Sequence, residues 1–134
     1  MPGIKAIEGI GDAYGDNLKA LGIRSKAALL KAGATKKGRV DLAARSGVSE
    51  KLILEWVNRA DLYRVKGIGT QYADLLENAG VDTVVELAGR KAENLVEKMR
   101  QVNAEKKLVR LLPALSKVQG WIAEAKTLPR AVTY

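Results

Sequence analysis

Ile7-Glu8-Gly9-Ile10-Gly11-Asp12-Ala13-Tyr14 returns 58 residues later as Val65-Lys66-Gly67-Ile68-Gly69-Thr70-Gln71-Tyr72. The register continues beyond the two stretches: Leu18 pairs with Leu76, Gly22 with Gly80, Ile23 with Val81 and Leu29 with Leu87. Farther along, the offset shortens to 56, aligning Gly47 with Asn103, Lys51 with Lys107, Leu52 with Leu108 and Ile53 with Val109. A repeat of this period is one supersecondary unit used twice. The reading is two tandem units, 1–61 and 62–126, followed by a C-terminal tail over 127–134.

Each unit is punctuated as short helices. Tyr14, Leu18 and Leu21 stand at i, i+4 and i+7, one face of a helix that Gly22 ends. Ser25 and Thr35 are N-caps for helices that stop at Gly33 and Gly47, and Ser49 caps a last one bearing Leu52, Ile53, Trp56 and Val57. In the second unit Gly80 ends a helix and Thr83-Val84-Val85-Glu86 reads as a capping box. Strand-period alternation is absent, so the expected fold is all-α, with about five short helices per unit.

The 134 residues carry 23 Lys and Arg against 15 Asp and Glu, a net charge of +8. A small domain this basic meets something acidic, nucleic acid first. There is no Cys and no His. That removes disulfides, thiolate nucleophiles, the usual general base and the usual transition-metal ligands. The acidic residues form no paired constellation for acid–base work, so catalysis is not expected. No apolar run is long enough to span a bilayer, and the N-terminus lacks the apolar stretch of a secretory signal; a cytoplasmic protein is expected.

Gly-Ile-Gly carries the chemistry. Two glycines around one aliphatic residue permit a tight reversal with positive φ, the aliphatic turning inward as an anchor. The reversal leaves the first amides of the next helix pointing outward at the positive end of its dipole, where a phosphate oxygen fits. No strand precedes the glycines and no Gly-Lys-Ser/Thr follows, so a dinucleotide or P-loop reading fails. Tyr14 and Tyr72, as well as Trp56 and Trp121, have the spacing of core residues rather than of a base-stacking platform.

Val65 to Leu76, apolar-x-Gly-apolar-Gly-x-x-x-small-x-x-Leu, resembles the helix-hairpin-helix motif. With Ala79 to Leu87 and a further helical pair, each half resembles the N-terminal domain of archaeal and eukaryotic recombinases. In that family a second, degenerate hairpin follows the first; Ser46 to Lys51 and Val102 to Lys107 stand in its place. The whole chain, with its Leu128 to Tyr134 ending, also resembles a bacterial family of unknown function built of such repeats. The resemblance implies sequence-independent DNA binding, hairpin amides and nearby Lys or Arg gripping the sugar-phosphate backbone. It also implies a monovalent cation on hairpin carbonyls in many members; no other cofactor is expected.

The two hairpins are expected to share a backbone geometry but not a charge. Residues 5–16 hold Lys5 against Glu8, Asp12 and Asp16, net −2, while residues 63–74 hold Arg64 and Lys66 against Asp74, net +1. The phosphate-binding set is therefore Arg64, Lys66, Gly67, Ile68, Gly69, Thr70, Lys106 and Lys107. Gly9, Ile10, Gly11, Lys36, Lys37, Arg39 and Lys51 form a second rank. The partner expected is DNA at the nucleoid, with no membrane and no small-molecule substrate. The rival reading is a protein–protein adaptor, which would show an exposed apolar patch in place of a basic face.

Overall fold

The computed structural model describes residues 4, 7 and 10–134. Among them the chain is all-α: α1 Gly11–Ala20, α2 Lys26–Gly33, α3 Lys36–Ser46, α4 Glu50–Leu62, α5 Thr70–Asn78, α6 Val84–Ala88, α7 Ala92–Lys106 and α8 Leu115–Ala125. The chain divides into two compact units between Asp61 and Leu62, the second running to Arg130. Residues 127–134 do not form one separate tail, since Ala131–Tyr134 belongs to the first unit.

Each unit has four α-helices among the described residues, not five. Ahead of α5 the chain makes two successive three-residue turns, the Val65 amide donating to Leu62 O at 3.1 Å and the Ile68 amide to Val65 O at 3.2 Å. Ile7 donates to Ile4 O and Ile10 to Ile7 O, each at 3.2 Å, in the same pattern. The apolar residues explain the choice. Ile4, Ile7, Ile10 and Leu62, Val65, Ile68 recur every third position, and none is more than 4% exposed. An α-helix would rotate every third side chain by about 60°, whereas three-residue turns keep all three on one side.

The helix ends follow local chemistry. Hydroxyls of Ser25, Thr35, Ser49 and Thr83 accept from the amides of Ala28, Gly38, Leu52 and Glu86 at 3.0–3.3 Å. Each such cap contributes about 1 kcal/mol. Glu86 supplies its carboxylate to Arg90, 3.0 Å away. Gly22 and Gly80 end α1 and α5 in the left-handed region, at φ 86° and 92°. Beyond them the Ile23 and Val81 amides reach back to Leu18 O and Leu76 O at 2.9 Å, closing the same C-terminal motif in both units.

The later half of the repeat aligns differently from the 56-residue offset. Gly47 ends α3 at φ 75°, and its counterpart ending α7 is Lys107 at φ 52°, not Asn103. Trp56 is the seventh residue of α4 and Trp121 the seventh of α8, and each packs on a tyrosine: Tyr14–Trp56 at 5.1 Å, Tyr72–Trp121 at 5.3 Å. Thus α8, not Lys107 to Val109, matches α4. The second unit has a longer α7 and an inserted loop over 107–114. Asn103 staples that loop: its Oδ1 accepts the Val109 amide at 3.0 Å and its Nδ2 donates to Val109 O at 3.2 Å. The α3–α4 connection of the first unit is tight, Ser46 to Glu50, and the matching α7–α8 connection of the second is opened out, Lys106 to Leu115. In the second unit α8 packs on α6 and α7, and α5 on α7.

Arg39 closes the first unit. It is 1% exposed, and its guanidinium donates to Gly33 O at 2.9 Å, Ala34 O at 3.2 Å and Thr133 O at 2.7 Å, with the Tyr134 ring 5.9 Å away. The Thr133 amide also donates to Ala34 O at 2.8 Å, and Val132 is buried. Arg39 is therefore a structural clamp, unable to reach a phosphate. Arg39→Ala removes the guanidinium donors to Gly33 O and Thr133 O and should destabilise the first unit by about 2–3 kcal/mol in urea unfolding.

Candidate functional site

The site is assembled around Gly67, at φ 93° and with a Cβ position only 3.2 Å from Trp121 Nε1. An L side chain there would be both strained and crowded. Ile68, buried beneath, anchors the turn, and Gly69, in extended backbone, is the N-cap of α5. Glycine has no side chain with which to cap the first amides of α5. A concavity of about 360 Å³ at this turn is lined by Gly67, Gly69, Thr70, Gln71 and Tyr72.

The first hairpin is not built the same way. Ile10 is buried as expected, but α1 starts one residue earlier in the repeat, at Gly11, which itself takes φ 62°. In the second hairpin the equivalent Gly69 has φ −97°, so the expected shared geometry fails. Asp12 stands in the first turn of α1, where a carboxylate favours the dipole that would attract a phosphate. Lys5, Glu8 and Gly9 lie outside the described residues.

The expected cations are only partly gathered. Lys66 is exposed beside Gly67, but its amide donates to both Glu124 carboxylate oxygens at 3.2 Å, so α8 brings a negative charge to the turn. Arg64 donates to Pro129 O at 2.7 Å. Lys106 lies at the far end of α5, its Nζ 2.7 Å from Asn78 Oδ1, about 12 Å of helix away from the concavity. Lys107 follows it at the C-cap of α7. In the first unit, Lys36 pairs with Glu50, while Lys37 and Lys51 are exposed on α3 and α4. Arg100 is engaged on α7, where its hydrogen bonds hold the Glu97 carboxyl below the usual value.

Two further cations, Lys117 and Arg110, stand nearer. Lys117 Nζ lies 5.6 Å from the centre of the Tyr72 ring, a cation–π contact. Tyr72 also donates its hydroxyl to Leu111 O at 3.1 Å, which sets exposed Arg110 next to the same helix end. Only the inserted loop and the true position of α8 bring them to the turn; in sequence Arg110 and Lys117 are 43 and 50 residues from Gly67. Tyr72, between Trp121 and Leu111 O, is a packing residue. Among the described residues no helix is long and apolar enough to cross a membrane, and no three acidic side chains gather as a metal site.

The turn's dependence on glycine can be measured. Gly22 also has positive φ but open space around its Cβ position, whereas Gly67 meets Trp121. Gly22→Ala should cost about 1 kcal/mol from backbone alone. Gly67→Ala should cost more and shift Trp121 fluorescence; equal costs in urea titrations would contradict the packing described.

Searches among curated proteins and among solved structures return no match. Residues 8–128 match the profile of a family described as a domain of unknown function, DUF4332. That match covers all of α1 to α8 and so extends across both units, and the chain belongs to this family.

Proposed function

We propose that the chain binds DNA without catalysis and without sequence preference, the second hairpin gripping a backbone phosphate. The single observation that carries this reading is the α5 start: a helix N-terminus without a side-chain cap, at a concavity beside Lys66, with Lys117 at its Tyr72 edge. Helix amides and dipole favour an anion there, and the ammonium groups add screened attraction. Each unit is read as a helix-hairpin-helix domain of the recombinase N-terminal kind, the first serving as scaffold because of Asp12 and its altered turn. Such a protein works in the cytoplasm, at the nucleoid. No cation is invoked in this reading.

Glu124 sets the limit on affinity, since its carboxylate already takes the Lys66 amide. Binding should be weak to moderate, with log K falling against log salt at a slope of roughly −3. In fluorescence anisotropy with a labelled duplex, Lys66→Ala and Lys117→Ala should each weaken binding and flatten that slope by about one. Lys106→Ala, at the other end of α5, should change neither. A second reading, a protein adaptor, draws on the exposed side chains of Leu111 and Leu115. Absence of binding at about 50 mM salt selects it over DNA.

A further inference from the structure

The loop over 107–114 has no counterpart in the first unit, and it is held on several sides. Asn103 grips both backbone groups of Val109, Val109 and Pro113 are buried, and Tyr72 donates to Leu111 O. Between these anchors the side chain of Leu111 stands 77% exposed, the most exposed of the large apolar residues described. A lone surface leucine ordinarily needs no explanation. This one is presented by a pinned backbone, next to Arg110, and tied through Tyr72 to the concavity at the start of α5. The loop runs back along α5, from Lys106 on Asn78 at one end to Leu111 on Tyr72 at the other.

We infer that Leu111 is a wedge for DNA, inserted between bases where the duplex is already weakened while the hairpin holds the neighbouring phosphate. This rests on the phosphate-grip reading and adds a substrate class to it: duplex carrying a mismatch, in preference to intact duplex. Apolar side chains that enter the base stack must unstack a step, and Leu and Met are among those that do so. A mismatched step is easier to open than a paired one, so a wedge turns local weakness into binding preference. The surrounding cations fit the same partner. Arg110, beside Leu111 in the loop, and Lys117, in α8 over the Tyr72 ring, are both exposed and put positive charge near the wedge, as a phosphate backbone requires.

The test uses the full chain and two labelled duplexes of one sequence, one intact and one with a central mismatch flanked by 2-aminopurine. Wild type should bind the mismatched duplex about tenfold tighter and raise the 2-aminopurine fluorescence as the base unstacks. Leu111→Ser, at an exposed position whose backbone carbonyl still accepts from Tyr72, should hold the intact duplex within about twofold of wild type and lose both effects. Leu111→Met should restore them. Equal binding of both duplexes by wild type, or a preference that survives Leu111→Ser, overturns the wedge while leaving the phosphate grip standing. No binding to either duplex at about 50 mM salt overturns the grip as well. Leu111-dependent sedimentation with phosphatidylserine vesicles, without mismatch preference, assigns the residue to a membrane surface and overturns the proposal.

Discussion

Trp121 lying against Gly67 is the contact on which the second unit's site depends. The indole nitrogen lies 3.2 Å from where a Cβ would stand, so a side chain there would crowd it, and the residue takes a left-handed φ that favours glycine. That passage turns Ile68 inward and leaves Gly69 at the head of α5. Trp121 in turn is positioned by α8, which packs on α6 and α7 and carries Glu124 to the Lys66 amide. A turn at the head of α5 is thus shaped by a helix some fifty residues downstream. The candidate binding surface is a product of the second unit's whole core.

The two units show how one repeat diverges while its core is kept. Three-residue turns, the Gly22 and Gly80 helix ends and the tyrosine–tryptophan pairs recur in both. What changes lies at the edges: Gly11 takes the left-handed role at the helix start, α7 lengthens, and a loop enters before α8. Buried contacts constrain the shared features, because losing an interlocked apolar residue costs several kcal/mol. Turn geometry and loop length are exposed to solvent and tolerate change at little cost.

Arg39 illustrates how charge in a sequence misleads. It stands in a basic run with Lys36 and Lys37, and its sequence neighbourhood reads as a phosphate-tracking face. Folding returns Thr133 and Tyr134 to it, and the guanidinium makes three hydrogen bonds to backbone carbonyls instead of facing solvent. Lys36 is drawn to Glu50 by the same tight α3–α4 connection that Gly47 permits. A surface reading of charge needs the partners that only long-range packing supplies.

By itself the sequence determined the all-α class, the doubling of the chain, the N-caps at Ser25, Thr35, Ser49 and Thr83, the left-handed ends at Gly22 and Gly80, and the buried anchors Ile10 and Ile68. These are local: a hydroxyl reaches an amide three residues away, and a glycine answers to its own φ. Only the tertiary structure decided that Lys117 and Arg110 attend the hairpin while Lys106 does not, that α8 is the counterpart of α4, and that Glu124 occupies a turn amide. Each of those depends on the length of α7 and on the path of the loop over 107–114. The sequence repeat blurs there, because Val109 is held by Asn103 side-chain atoms rather than by a helical period. Local propensity acts over a few residues, and the site is closed by contacts spanning about forty to sixty.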